Sequence, residues 1–227
     1  SNKGNREMAL QVQSSAAFAY LALLFMGDGS GTVFVPLAMA NFAGAVDKVL
    51  IGEIAYDTPG MDESEFVEVV NPTGAPVDLA GYVLGDAVLT TDFEDMRRFP
   101  PGAPLPAHGT AVVTISAVAF REAFGRPPDY EIVDSDPLVP DLIDDPAWGD
   151  PEALFQLGNS GDEVILRAPD GREDVVTYGD GVYPGVVGCP LLTPPNHTLE
   201  RFPYWLDSDN CPVDFRAWPF PSPGELP

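Results

Sequence analysis

The stretch that decides the fold is residues 157–178, which read Leu-Gly-Asn-Ser-Gly-Asp-Glu-Val-Ile-Leu-Arg-Ala-Pro-Asp-Gly-Arg-Glu-Asp-Val-Val-Thr-Tyr. Residues 163–167 and 173–178 have the alternating pattern of two strands. Between them Pro169 fixes a turn φ, Asp170 can bond back to the backbone, and Gly171 tolerates a positive φ. The stretch therefore predicts a β-hairpin, entered through a second turn at 159–162, and a β protein.

The composition agrees with a turn-rich β protein. Hydrophobic residues make up 45% of the chain, enough for a packed core, and its 25 prolines disfavour long uninterrupted helices. Short strand-like runs separated by turns recur from residue 49 onwards, which predicts a sandwich or a barrel. The predicted strands are residues 49–56, 65–70, 82–86, 110–116, 163–167, 173–178 and 198–201. A short helix at 117–125 should end at Gly125, and the acidic, proline-rich residues 126–151 are predicted to be a long surface insertion.

The charge is strongly negative and unevenly distributed. The formal net charge is −24, yet residues 1–46 contain two acids and two bases, so residues 47–227 carry the whole excess. Such a surface repels phosphate backbones and anionic membranes, and direct nucleic-acid binding is disfavoured. Solubility is the simplest explanation of the charge, and attraction of cations or basic partners is the alternative.

Residues 1–46 differ from the rest of the chain. An apolar run at 16–26 is too short to cross a bilayer as a helix. The basic start, this run and the later Ala-Met-Ala at 38–40 together resemble a signal peptide. The alternative is a packed helix followed by an apolar β arm at 32–46, which would need a partner if it is retained. We therefore predict an apolar N-terminal segment at 1–46, signal-like or an assembly arm, and a β-sandwich at 47–227.

The motifs of the second part, in their order, resemble the lamin tail domain, an immunoglobulin-like β-sandwich. They lie at residues 49–57, 65–72, 77–84, 99–100, 107–109, 159–166 and 174–179, and residues 198–201, 214–215 and 221–224 resemble the C-terminal part of secreted bacterial members. The resemblance implies an all-β, immunoglobulin-like antiparallel β-sandwich, with the acidic insertion and the apolar N-terminal segment as departures. In this family the domain is mostly an interaction or scaffolding module, often on exported bacterial proteins.

Several motif residues are predicted to be structural, because they end strands, close turns or bury a charge: Asn71, Gly81, Gly161, Glu200 and Arg201. Arg201 lies between apolar stretches, so its guanidinium should be partly buried against a carboxylate or backbone carbonyls. Eight apolar residues are predicted to face the core: Ile51, Ile54, Phe66, Val69, Leu84, Val113, Ile165 and Val176.

The chain has two cysteines, Cys189 and Cys211, 22 residues apart. Two cysteines cannot form a four-ligand zinc site, which leaves a free pair or one disulfide. Because the chain resembles exported proteins and both residues lie in proline-bearing loops beside the strand at 198–201, we expect a disulfide.

The sequence predicts one metal site and no catalytic site. Of the two histidines, His108 lies in a Pro-Ala-His-Gly turn and is predicted to be structural. His197 lies in serine-poor sequence, so a Ser-His-Asp triad has no natural candidate. Asp207, Asp209 and Asp214 place oxygen atoms at spaced positions in a loop, which suits calcium.

The loop lacks the glycine and the terminal glutamate of an EF-hand. Neutralisation of its carboxylates by Arg201 or Arg216 is the alternative to calcium.

The functional prediction is a non-enzymatic extracellular or cell-surface binding or scaffolding module, whose partner is a protein, the cell envelope or a second copy. Calcium is the one cofactor considered. One alternative is a subunit of a homopolymeric extracellular assembly, in which the N-terminal arm adds to a neighbour's sheet. The other is an accessory domain of a secreted hydrolase.

Overall fold

The computed structural model describes residues 46–58, 62–150, 152–192 and 196–227, and the backbone of three strands before residue 46. The chain divides into two compact units, Ser1–Ala45 and Val46–Pro227. In the first unit β1 (Leu10–Ser15), β2 (Phe18–Leu23) and β3 (Val33–Phe34) form an antiparallel sheet in that order. A helix at 16–26 was the alternative to a signal peptide, and over residues 18–23 the structure has a strand instead. The other residues of that run, and most of the predicted arm at 32–46, lie outside the described residues.

The second unit is an all-β sandwich in its described residues. One sheet has the strand order β11-β10-β5-β4-β15-β16 and is antiparallel except for the parallel pair β10–β11. Its strands are β4 (Leu50–Ala55), β5 (Phe66–Val70), β10 (Thr110–Thr114), β11 (Tyr130–Glu131), β15 (Thr198–Arg201) and β16 (Phe215–Trp218).

The facing sheet is antiparallel and has the order β12-β8-β7-β13-β14. Its strands are β7 (Val83–Gly85), β8 (Asp95–Arg98), β12 (Ile143–Gly149), β13 (Gly161–Arg167) and β14 (Glu173–Gly179). A two-stranded ribbon of β6 (Val77–Asp78) and β9 (Pro104–Leu105), a 3-10 turn at Asp62–Ser64, and the helices α1 (Ala117–Phe124) and α2 (Cys211–Asp214) complete the unit.

The hairpin predicted from residues 157–178 is present as β13 and β14. Ile165 lies opposite Val175, and the turn closes where the N–H of Gly171 donates to the carbonyl of Ala168 at 2.9 Å, with Gly171 at a φ of +86°. The hairpin opens at Gly161, where a Cβ atom would lie 2.1 Å from the backbone nitrogen of Asp180. Only glycine fits there.

The main core lies between the two sheets, and the prediction of core residues is partly wrong. Ile51, Ile54, Val69, Leu84, Val113 and Val176 line this core. Phe66 is buried instead on the outer face of its sheet, against Phe120 and Phe124 of α1. Ile165 is buried on the outer face of the other sheet, with Val83 and Met96.

The two errors have one cause. Side chains alternate between the faces of a strand, so Phe66 cannot share a face with Val69, nor Ile165 with Val164 and Leu166. Both residues are buried because other segments cover the outer faces, which strand periodicity alone does not reveal.

The predicted surface insertion at 126–151 is also partly wrong. It contains β11 and β12, which extend one sheet each, and Leu142 is buried in the main core. The segment was missed because β12 carries Pro146 and its register shifts between Asp144 and Gly149, so its sequence does not alternate. The helix before it agrees with the prediction: Ser116 caps its start and Gly125 ends it in the left-handed conformation.

Candidate functional site

Arg201 is the centre of a buried polar network that joins the two sheets. Its side chain is 1% exposed, and its Nη2 donates to both carboxylate oxygens of Asp174, at 2.8 and 3.1 Å. Its Nε donates to the carbonyl of Ile51 at 2.6 Å, and its Nη1 donates to the carbonyl of Leu206. The guanidinium also lies 4.5 Å from the ring centre of Phe215. Because Asp174 belongs to β14 and the other strand residues to β4, β15 and β16, the network holds the sandwich together.

The loop after Arg201 carries the three aspartates predicted to bind calcium. Asp207 forms an ion pair with Lys48 at 2.8 Å and lies 3.8 Å from Nη1 of Arg201. Asp214 is buried and accepts hydrogen bonds from the N–H and the hydroxyl of Ser208, at 2.8 and 2.6 Å. Asp209 lies on the exposed side of the loop, in the left-handed conformation with a φ of +54°.

These contacts favour the alternative to calcium, in which Arg201, together with Lys48, neutralises the loop. Asp214 lies 4.0 Å from Nη1 of Arg201, while Arg216 is directed to Glu200. Calcium binding by this loop stays a prediction.

Cys189 and Cys211 form the expected disulfide, with an S–S distance of 1.96 Å. Cys189 is hydrogen-bonded to the backbone beside β14, since its N–H donates to the carbonyl of Thr177 at 2.8 Å. Cys211 begins α2, the short helix that carries Asp214. The disulfide therefore ties the edge of one sheet to the loop organised by Arg201.

Asn71 and Gly81 occupy turns. The side-chain amide of Asn71 donates to the carbonyls of Ala75 and Pro106, at 2.8 and 2.9 Å, and so fastens the end of β5 to two loops. Gly81 has a φ of +83°, in a turn where Asp78 accepts a hydrogen bond from the N–H of Ala80 at 2.9 Å. These contacts fix loop and turn geometry, as predicted from the sequence.

A row of three buried glutamates crosses the outer face of the six-stranded sheet. Glu53 lies opposite Glu68 on one side and opposite Glu200 on the other. The C-terminal tail covers the row. The N–H of Ser222 donates to Glu53 at 3.1 Å, its hydroxyl to Glu200 at 3.2 Å, and the N–H of Gly224 to Glu68.

Sequence reasoning missed this acidic row, because acidic residues at 53, 68 and 200 also fit a solvated strand face. Burial raises the pKa of Glu53 to about 7 and that of Glu68 to about 8, although the tail's hydrogen bonds act in the opposite direction.

An aromatic patch lies beside the acidic row, made of Phe202, Arg216, Trp218 and Phe220. The guanidinium of Arg216 lies 3.9 Å from the ring centre of Phe202 and 4.2 Å from that of Trp218, and the ring of Phe220 lies 6.4 Å from that of Trp218. Phe202 and Phe220 are 43% and 71% exposed. The repeated aromatic residues at 215, 218 and 220 were the signal in the sequence that could have revealed the patch. Large exposed apolar surfaces of this kind mark interaction sites.

The fold and its surface define an immunoglobulin-like β-sandwich domain. The family model of the Lamin Tail Domain matches residues 43–181, and this chain belongs to the lamin tail domain family. Domains of this family are in general non-catalytic.

A crystal structure of a DUF4876 family protein from Bacteroides thetaiotaomicron is similar, with 11% sequence identity and a TM-score of 0.55, over 79% of this chain and 74% of that chain. At this identity the similarity shows the fold alone. No curated protein matches the sequence. Among the described residues no helix has the length and apolar character needed to span a bilayer.

Replacing Arg201 by Met should lower the free energy of unfolding by about 3 kcal/mol, because Asp174 would be left buried without its counter-charge. Urea denaturation measures the change. The matched control is Arg172→Met, which removes an exposed guanidinium paired with Asp170 and Asp47 and should change little. Equal effects of the two substitutions would contradict a central role for Arg201.

The acidic row should make stability depend on pH. A glutamate whose pKa is raised in the folded protein favours folding in its protonated form; this contribution is complete below pH 4.5 and is lost as the pH rises through about 8. Glu68→Gln should therefore gain about 4 kcal/mol of unfolding free energy relative to the wild type between about pH 4.5 and pH 8.5.

Urea denaturation across this pH range measures the difference. The other charges that face Glu68, namely Glu53, Asp129 and Arg126, stay in place in the variant. The control is Glu122→Gln on the exposed side of α1, which should follow the wild-type curve. Parallel curves for Glu68→Gln and the wild type would show that the row does not titrate in this way.

Proposed function

We propose that this chain is a non-enzymatic binding or scaffolding module that works outside the cell and contacts a protein or cell-envelope partner through the aromatic patch. The observation that carries the proposal is the exposure of Phe202 and Phe220 on either side of Arg216 and Trp218. Folded domains seldom leave large apolar side chains together on the surface without a partner.

The chemistry of the patch suits protein binding. Tryptophan and arginine are enriched among the residues that dominate binding energies, because they supply a large contact area together with a polar or charged group. Arg216 is held in place by the two rings and by its ion pair with Glu200. Its planar guanidinium is thus positioned before any partner arrives, which lowers the entropic cost of binding.

Two further observations support an extracellular module without catalytic activity. The disulfide between Cys189 and Cys211 is of the kind that persists in oxidising compartments. The family to which the chain belongs is generally non-catalytic. The large excess of acidic residues favours a basic or neutral partner surface over an anionic one.

Binding of the purified full chain to an envelope fraction of the source organism tests the proposal, with co-sedimentation as the readout. The double variant Phe202→Ala, Phe220→Ala should lose at least about tenfold in affinity, since each removed anchor is expected to contribute about 1 kcal/mol or more. The control, Phe93→Ala with Leu138→Ala, removes two apolar side chains that are 81% and 89% exposed elsewhere. Equal binding by both double variants would place the interaction outside the patch.

A second candidate is a subunit of a homopolymeric assembly. It is favoured by the first unit, whose three strands form a small sheet of their own, and by the edge position of β16 in the larger sheet. Sheet edges pair readily with a strand of another chain. Light scattering should then show oligomers of the full chain that disappear in a chain starting at Val49. Monomers in both samples would remove this candidate.

A further inference from the structure

Three carboxylates meet at the end of the five-stranded sheet where β13 begins. Asp162 and Glu163 belong to β13, and Glu94 directly precedes β8; one oxygen of each lies within 4.8 Å of an oxygen of the other two. Asp162 is buried, while Glu94 and Glu163 are half-buried, so one side of the group is open to solvent. None of the three takes part in the ion pairs of the described residues.

A second, independent observation lies behind Asp162. Glu65 is 1% exposed, and neither of its carboxylate oxygens has a hydrogen-bond partner among the described residues; the hydroxyl of Tyr178, 0% exposed, also lacks one there. Tyr178 lies directly opposite Asp162 in the β13–β14 ladder, so the two side chains share the core-facing side. Glu65 is close enough for the charge of Asp162 to raise its pKa. Buried polar atoms without partners are rare and call for a ligand or another compensating feature.

The group is also electrostatically unfavourable as it stands. Burial raises the pKa of Asp162 to about 6, and the charges of Glu163 and Asp180 add to the rise. Burial also raises the pKa of Glu94 to about 7, with contributions from the charges of Asp162 and Glu163. The same causes raise the pKa of Glu65 to about 9 and, deeper in the unit, that of Asp86 to about 8. A bound cation would offset both the repulsion and the missing partners.

We propose that Glu94, Asp162 and Glu163 bind a calcium ion beside Tyr178, the buried cross-strand neighbour of Asp162 whose hydroxyl has no partner among the described residues. The ligands are all oxygen atoms, which favours a hard cation over zinc, and calcium accepts several carboxylates in irregular geometry more readily than magnesium does. The site differs from the loop of Asp207, Asp209 and Asp214, whose charges face Lys48 and Arg201.

The protein already holds the ligands in place. The two oxygens of Asp162 accept hydrogen bonds from the N–H groups of Gly158 and Glu163, at 2.7 and 2.8 Å, and Glu163 accepts one from the N–H of Val182. An ionised carboxylate has about four acceptor positions, so each retains capacity for a metal. The ordered backbone around Gly161, where no side chain fits, fixes the spacing of Asp162 from its neighbours.

The test uses calorimetry and thermal melts of the full chain near neutral pH, with calcium chloride or with sodium chloride of equal ionic strength. Of the two salts, only calcium chloride should give saturable binding at one site. It should also raise the melting temperature by at least about 3 °C, because calcium binds the folded protein. A chelator should reverse the rise. The absence of heat and of a melting shift in the wild type would overturn the proposal.

Variants locate the ion. Glu94→Gln with Glu163→Gln should weaken calcium binding at least about tenfold and leave the fold unchanged, because both side chains are half-buried. The matched control is Asp207→Asn with Asp209→Asn, in the other acidic loop, which should bind like the wild type. Loss of binding in the control and its retention in the first variant would assign calcium to the loop and contradict the proposal.

A third variant keeps the test valid if the double variant folds poorly. Glu65→Gln removes a carboxyl group that at neutral pH must take up a proton when the protein folds, and it keeps all three ligands. Without calcium its melting temperature should exceed that of the wild type, and the rise on adding calcium should be smaller. An unchanged calcium-dependent rise, with no gain in the apo protein, would show that Glu65 does not face the ion and would count against the site.

Discussion

The buried ion pair between Arg201 and Asp174 is the interaction on which the rest of the structure depends. It joins β14, the edge strand of the five-stranded sheet, to β15 of the six-stranded sheet. The carboxylate of Asp174 also accepts a hydrogen bond from the N–H of Ile51 at 2.6 Å. The Nη1 of the same guanidinium donates to the carbonyl of Leu206, at the start of the loop that leads to Cys211. Since a buried charge is tolerated only with its partners, each of these segments is fixed in one position.

The domain treats its acidic residues in three different ways. Asp174 is paired with Arg201, and the glutamates of the acidic row receive N–H and hydroxyl donors from the tail. Glu65 has neither kind of partner among the described residues, and burial together with nearby carboxylates that include Asp162 raises its pKa. The lack of hydrogen-bond donors at Glu65 is therefore unusual for this domain, because the same chain supplies donors to the buried carboxylates of Asp174 and of the acidic row.

The features that could be predicted from the sequence are local ones. Pro169, Asp170 and Gly171 define a turn by their own conformational preferences, and Arg201 between apolar residues can be buried only with acceptors. The faces of Phe66 and Ile165 could not be assigned, because the segments that cover them are distant in the sequence. The group of Glu94, Asp162 and Glu163 could not be predicted either, since Glu94 and Asp162 meet only through the sheet order β8-β7-β13. The burial of the acidic row could not be predicted because its hydrogen-bond donors come from the distant tail.

The strand β16 links the buried network to the aromatic patch. Phe215 faces inward and lies over the guanidinium of Arg201, while Arg216 and Trp218 point to the opposite face, beside Glu200 and Thr198. One alternation of side chains therefore puts Phe215, which packs on Arg201, and the patch residues Arg216 and Trp218 on the same short strand. A strand held in this way has little conformational freedom of its own. The order of the core around Arg201 and the placement of Arg216 and Trp218 thus both depend on β16.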